Sequence, residues 1–426
     1  MAREFKDSGI EWIGQIPKEW EVCQIRRVMK NRSERNLPNA EVLSLYRDWG
    51  IVPKNSRDDN HNVTSEDTTN YKVVHKGDFV INKMKAWQGS MAVSDYDGII
   101  SPAYYVCEFV RTSVYKRYIH HLLRNESYKT EYMRLSSGLR VGQWDLNIEN
   151  FLRIPMILPS FSEQQKIADY LDKVCGEVDE MVALQETMIE ELKAYKQSVI
   201  TEAVTKGLDP NTPMRNSGID WIGEIPEGWE VCRIKNIFNV SDGTHDTPNY
   251  VDKSCNTYPL VTSKCIIDGE IVLDLANHIS ETDYIQINER SFHNRYDVIM
   301  PMIGTVGNPA IVMTDDKYAL KNVAIFRTGG DYYKAALLKY FINSYLFIEQ
   351  YNSTKRGGVQ NFISQDIIRN LILIIPQNLE ETIIFLDTKC SGIDSLIALK
   401  QAKIEELKEY KKSVIYEYVT GKKEVQ

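Results

Sequence analysis

The side chains that could do chemistry in this sequence sit at spacings that favour structural roles. Glu191 with Lys193, and Glu406 with Lys408, copy part of a nuclease motif, but both pairs fall on the polar side of long helical stretches where charge is routine. His120-His121 has no further ligands at metal spacing, and His245-Asp246 reads first as a turn. Asn308-Pro309-Ala310 is the nearest approach to the Asn-Pro-Pro-aromatic element with which amino-methyltransferases hold a flipped base. Phosphate-loop, nucleophile-elbow and zinc-helix signatures are missing from the sequence. The sequence therefore predicts no catalytic centre, no metal site and no cofactor bound by this chain.

Recognition chemistry is better represented. Reading base edges in a major groove takes Arg, Lys, Asn or Gln, whereas phosphate contacts only position a protein. Lys83-Met84-Lys85-Ala86-Trp87-Gln88-Gly89 and Leu139-Arg140-Val141-Gly142-Gln143-Trp144 combine such groups with aromatics and glycine. So do Thr244-His245-Asp246, Thr262-Ser263-Lys264 and Lys355-Arg356-Gly357-Gly358-Val359-Gln360-Asn361. The candidate DNA-binding residues are Lys83, Lys85, Arg140, Gln143, Thr244, His245, Lys264, Lys355, Arg356, Gln360 and Asn361, with Arg26 and Arg27 as candidate phosphate contacts beside Lys30 and Arg32. For each loop the plain alternative is an exposed polar turn. The tryptophan pairs Trp12/Trp20 and Trp221/Trp229 read as anchors of a segment on its own core, with partner binding as the alternative.

A chain of 426 residues, 43% of them hydrophobic, can bury more than one core. The net charge of −8 is unevenly placed: residues 1–158 hold 23 Lys+Arg against 20 Asp+Glu, and residues 207–375 hold 15 against 20. A strong nonspecific grip on a polyanion is not offered by such a chain alone, and a partner would have to supply part of it. Met1 to Asp7 has no apolar stretch behind a basic start, and the longest aliphatic run, Leu371 to Ile375, is far short of the ~20 residues of a membrane span. Seven cysteines without a C-x-x-C pair fit a reducing cytoplasm. Cys23 and Cys232 fall at matching points, as do Cys175 and Cys390, and a small buried apolar residue is the expectation for each.

These matching points belong to an internal repeat. SGIEWIGQIPKEWEVCQI (8–25) recurs as SGIDWIGEIPEGWEVCRI (217–234) with 13 of 18 positions identical, and IEELKAYKQSVIT (189–201) recurs as IEELKEYKKSVIY (404–416) with 10 of 13. Each half opens on the same Trp/Pro segment and closes on the same helical segment, so the chain holds two copies of one unit. Between Glu163 and Thr205, Ile167, Leu171, Val174, Val178, Met181, Met188, Leu192, Tyr195 and Val199 make a heptad seam, with Gln185 in its one polar place. About 43 residues would span ~65 Å, too long for a lone helix. Leu386, Ile393, Leu396, Leu407, Tyr410 and Val414 form the matching seam. The two seams have an obvious partner in each other: an antiparallel coiled coil, with the divergent modules at opposite ends of a rod and a pseudo-two-fold axis between them.

The intervening segments read as mixed α/β modules. Asp78–Asn82 and Ala103–Cys107 are strand-like with a helical stretch from Tyr115 to Arg134, and 297–300, 323–326 and 332–351 occupy the corresponding places. The predicted organisation is a first module (1–158), a central helix (159–206), a second module (207–375) and a terminal helix (376–426).

Three local marks complete the pattern: the twice-used W-I-G-x-I-P-x-x-W segment, Asp242-Gly243-Thr244-His245-Asp246-Thr247-Pro248, and the helix entry Pro159-Ser160-Phe161-Ser162-Glu163-Gln164-Gln165-Lys166-Ile167. With them the sequence resembles the specificity subunits of type I restriction-modification systems. The second helix entry, Pro376-Gln377-Asn378-Leu379-Glu380-Glu381, departs from the family's pattern. The resemblance implies two target-recognition domains on a helical ruler, reading an asymmetric, bipartite double-stranded DNA target. It implies two methyltransferase subunits and two motor/nuclease subunits as partners, which would hold S-adenosylmethionine, ATP and magnesium. A self-contained nuclease or modification enzyme, and a coiled-coil scaffold without a nucleic-acid role, are the alternatives from other classes.

Overall fold

The computed structural model describes residues 3–37, 39–47, 49–56, 67–138, 144–354 and 362–425. The chain forms two compact units, Met1–Glu186 with Ala402–Gln426 and Thr187–Gln401. Each unit thus holds one module and a part of each long helix, Phe161–Thr205 and Leu379–Val419.

In the first unit a four-stranded antiparallel sheet runs in the order Met29–Arg32, Tyr104–Phe109, Phe79–Asn82, Met91–Val93. Phe79–Asn82 and Met91–Val93 are apolar on both faces because both faces are covered, whereas the edge strand Met29–Arg32 exposes Lys30 and Asn31. Phe79, Ile81, Met91 and Cys107 point into the main core, while Val80, Ala92 and Val106 alternate into a smaller one with Leu43, Ile51 and Ile100. The second unit repeats the plan, with Asn239–Asp242, Val323–Arg327, Val298–Pro301 and Ala310–Ile311 in the same order. Val298, Met300 and Phe326 face one core, and Ile299, Val323 and Ile325 the other. Both modules are therefore mixed α/β and built alike, although little sequence identity is left between them.

The repeated Trp/Pro segment has a mechanical role. In each unit the strand that follows it pairs antiparallel with the strand that feeds a long helix: Glu21–Gln24 with Pro155–Leu158, and Glu230–Arg233 with Ile372–Ile375. Trp20 is buried, and its Nε1 donates to Glu163 Oε2 at 3.0 Å. Gln164 accepts from Tyr115 N at 2.8 Å and donates to the Pro159 carbonyl at 2.9 Å. Glu163 and Gln164 thus lock the first helix to its module, and Asn378 and Leu379 stand at these places in the second copy. Gly421, at φ +71°, lies so close to Pro17 and Trp20 that a Cβ would sit 2.5 Å from the proline ring; Gly207, at φ +82°, lies likewise against Trp229 and Pro226. Each long helix thus ends on a glycine seated on a Trp/Pro segment.

The helix pairing is antiparallel in each unit. Tyr170 meets Tyr418 with ring centroids 4.5 Å apart and Asp179 meets Lys411 at 2.7 Å; Lys196 meets Asp394 at 2.6 Å. Ile167, Leu171, Val178, Leu386, Ile393, Leu407 and Val414 are buried, and Val174, Met188, Leu192 and Val199 half-buried. The expected seam is corrected at four places, since Met181, Tyr195, Leu396 and Tyr410 are exposed. A straight α-helix drifts by ~20° per heptad against a strict seven-residue repeat, and burial moves onto Cys175, Ile189, Ile200, Cys390 and Ile404. The helical stretch expected from Tyr115 to Arg134 is likewise two helices, Lys116–Arg124 and Glu126–Leu135, because Asn125 turns extended and its side chain accepts from Ser127 N.

One acid pins each module to its helix. Asp172 accepts from Arg117 (Nη2 2.8 Å, Nε 3.1 Å) and from His121 Nε2 at 2.7 Å. Asp387, 215 residues on, accepts from Tyr332 and Tyr340 at 2.8 and 2.6 Å. Burial would raise the Asp172 carboxyl, but the hydrogen bonds from His121 and Arg117 outweigh it and hold it down at about 2. Its folded value lies below its unfolded value of roughly 3.9. The contribution is therefore present above about pH 4 and is lost as the pH falls towards 2. We expect Asp172→Asn to cost about 1–2 kcal/mol, discounted for partial solvent exposure, and to flatten the acid limb of a denaturation series run from pH 5 to about 2. An unchanged acid limb would remove the pin from the account.

Candidate nucleic-acid interface

In the first module the candidate residues gather at one end of the central sheet strand Phe79–Asn82. Asn82 Oδ1 accepts from Met84 N and Lys85 N at 3.1 and 3.2 Å, which starts a tight helical turn, Lys83–Gln88, that Gly89 ends in the left-handed region at φ +77°. Met84 and Lys85 are exposed on it. Trp87 packs edge-on against Trp144 at 5.5 Å and donates to the Met84 carbonyl at 3.1 Å. A rigid turn with outward Lys85 is thereby built on an aromatic base. Lys83 points instead over the Tyr105 ring, with Nζ 4.7 Å from its centroid. Arg140 and Gln143 lie outside the described residues.

Arg26 and Arg27 are exposed on the short turn Ile25–Arg27. Their neighbours are committed elsewhere: Lys30 pairs with Glu108 at 2.9 Å, and Arg32 reaches Asp78, Glu108 and Glu34. The basic cluster of the sequence is thus not one surface of free cations.

In the second module Gly243, Thr244 and His245 are laced to the strand edge at 320–323. Gly243 N donates to Val323 O at 2.8 Å and Thr244 N to Leu320 O at 2.9 Å, and a Cβ on Gly243 would stand 2.5 Å from Leu320 O. His245 lies between Asn322 Oδ1 at 2.9 Å and Asp242 Oδ2 at 3.0 Å, and these two acceptors raise its imidazole above the ordinary value. The raised value makes its protonated form the stabilising one, a contribution lost as the pH rises through the folded value. Thr244 Oγ1 accepts from Asp246 N at 3.2 Å. Both residues therefore hold their own loop. Lys264 is exposed on the turn Ser263–Cys265, and Lys355, Arg356, Gln360 and Asn361 lie outside the described residues.

The helices carry a second kind of surface, one that sequence reasoning misses. Met181, Leu184 and Tyr410 are exposed in the first unit, and Leu396, Leu399 and Tyr195 in the second. They are the same three positions of the repeat, 215 residues apart. Leu184 and Leu399 are 57% and 67% exposed. Apolar residues are thus exposed at matching places in both copies. The signal is present in the sequence, but a heptad reading assigns Met181 and Tyr195 to the seam.

Among the described residues no group of His, Cys, Asp and Glu could hold a metal ion, and no helix is long and apolar enough to cross a membrane.

The family model of the type I restriction modification DNA specificity domain matches the chain twice, at residues 17–194 and 226–409. The MjaVIII type I restriction enzyme specificity subunit of Methanocaldococcus jannaschii is 23% identical, over 96% of this chain and 94% of its own length. The EcoBI type I specificity subunit of Escherichia coli is 29% identical over 37% of this chain and 34% of its own length. A solved structure from work on complex assembly and conformational transition of the type I restriction-modification system superposes with a TM-score of 0.70 at 15% identity, covering 95% of this chain and 99% of that one. With most of both modules and of both helices inside the matched domains, the chain belongs to the family of type I restriction-modification DNA-specificity subunits.

Proposed function

We propose that this chain reads an asymmetric, bipartite duplex target, the module of residues 1–158 reading one half and that of 207–375 the other, and directs methylation and cleavage carried out by partner subunits. The carrying observation is that one module plan is used twice with different residues on it: exposed Lys85 on a capped turn in the first, and in the second a loop held by Thr244 and His245 beside exposed Lys264 on the turn Ser263–Cys265. Two different readers imply two different half-sites. In this reading the paired helices set the spacer. Half-sites read from one face of the duplex lie about one turn, 10–10.5 bp, apart.

The twice-used apolar surface supports two copies of one partner, which we take to be methyltransferase subunits binding S-adenosylmethionine. Two motor/nuclease subunits using ATP and magnesium would join them. This division leaves the chain itself as reader, working in the cytoplasm where its DNA is.

Selection from random duplexes by the chain complexed with the methyltransferase tests this reading. Two short, unequal conserved blocks separated by an unconstrained gap are expected. A single uninterrupted block, or methylation or cutting by the chain on its own, would contradict it.

A further inference from the structure

Among the described residues, Lys72 is a cation without a counter-charge. It sits in the strand Lys72–Val74, is only 5% exposed, and uses one ammonium proton on the Tyr104 carbonyl at 2.6 Å. Its Nζ stands 5.2 Å from the Tyr105 ring centroid, and Lys83 Nζ stands 4.7 Å from the same ring. Arg35 is bridged directly opposite Lys72 across an antiparallel pair, which puts their side chains on the same face. Exposed Arg35, half-buried Lys83 and buried Lys72 thus form the rim and floor of one positive locus.

The groups around Lys72 do not neutralise it. Burial, Lys83 and Arg35 all disfavour its charge and pull it down to about 8, and the facing Cys107 thiol, pushed up to about 12 by its own burial, stays neutral. Tyr105, raised chiefly by its burial, also feels the Asp145 carboxylate. Three cations kept together, two of them over one ring and one desolvated, make a place that an anion would stabilise.

We propose that Lys72, Lys83 and Arg35 form a backbone-phosphate seat of the first module, with the Tyr105 ring packed beneath both lysines. The proposal rests on the DNA-reading function above and adds a positioning contact to it. A phosphate there fixes the module's register on the duplex and carries no sequence information, unlike Lys85 on the neighbouring turn. The local signal in the sequence is faint: a single lysine ahead of Val73-Val74 in an otherwise apolar strand.

The test uses the complex of the full chain with its methyltransferase and a duplex carrying its target. Lys72→Met and Lys83→Gln should each weaken binding to matched and mismatched duplexes alike, and lower the slope of log affinity against log salt by about 1. Wild-type affinity should fall between pH 7 and 9 as Lys72 loses its proton, and the Lys72→Met profile should be flat over that range. Neutral methylphosphonate placed singly along the target should reveal one linkage that weakens the wild type but not the Lys83→Gln protein, a readout that a merely structural lysine would not move. Variants with wild-type salt slope, pH profile and methylphosphonate pattern would overturn the seat while leaving the DNA-reading function intact. A wild-type complex that prefers no duplex at all would overturn both.

Discussion

Inserting one heptad after Glu186 and one after Gln401 should lengthen the gap in the recognised target by about one to three base pairs and leave both half-site sequences as they were. The two points are the divisions between the compact units, so neither module nor its helix anchor is touched. A heptad adds about 10 Å to a helix and nearly preserves its seam, because the phase error is only ~20°. At 3.4 Å per base pair this length corresponds to at most about 3 bp. Each added pair also turns the far half-site by roughly 35°, since a turn takes 10–10.5 bp, so the twist of the duplex limits the gain. Methylation mapping of the variant measures the new gap. An unaltered gap, or altered half-sites with an unaltered gap, would show that the helices are not the ruler.

Leu184→Glu and Leu399→Glu should each remove one methyltransferase subunit from the complex, and together remove both. Each leucine is largely exposed, so the substitution leaves the cores alone and the free chain should unfold at the same denaturant concentration as the wild type. Burying a leucine is worth about 1.5–3 kcal/mol, and placing a carboxylate in its seat costs more, so a loss of about 100-fold or greater in partner affinity is expected. Native mass spectrometry counts the subunits. Single variants that still carry two partners would show that the matched apolar positions serve something else.

Much of this architecture can be read from the residues. Helices long enough to need a partner, two copies of one unit, and core strands at 79–82 and 298–301 all follow from local pattern, because helical periodicity and apolar runs are local properties. The sheet order is not local. Met29–Arg32 pairs with Tyr104–Phe109 across more than seventy residues, and no spacing rule announces that partner. The expected seam errs for a related reason: a heptad count assumes a strict repeat, while the pair settles where both helices bury most, on Ile189 and Ile404 in place of Met181 and Tyr195. Side-chain roles are the hardest to read. Lys83 and His245 look outward in sequence, yet Tyr105 engages one, and the other is held between nearby Asp242 and Asn322, a partner 77 residues along the chain. The Trp/Pro segment is legible as an anchor because it occurs twice, but only Trp20 and Trp229 are buried as anchors. Trp12 is half-buried and Trp221, expected to match it, is exposed, and what the segment holds, the glycine ending each long helix, needs the fold.

The most direct test of the two-reader account is to coexpress the chain with its methyltransferase and map modified bases across a genome by single-molecule sequencing. One asymmetric split motif, modified in both halves about one helical turn apart, is the predicted result. A continuous motif, or modification without a motif, would contradict it.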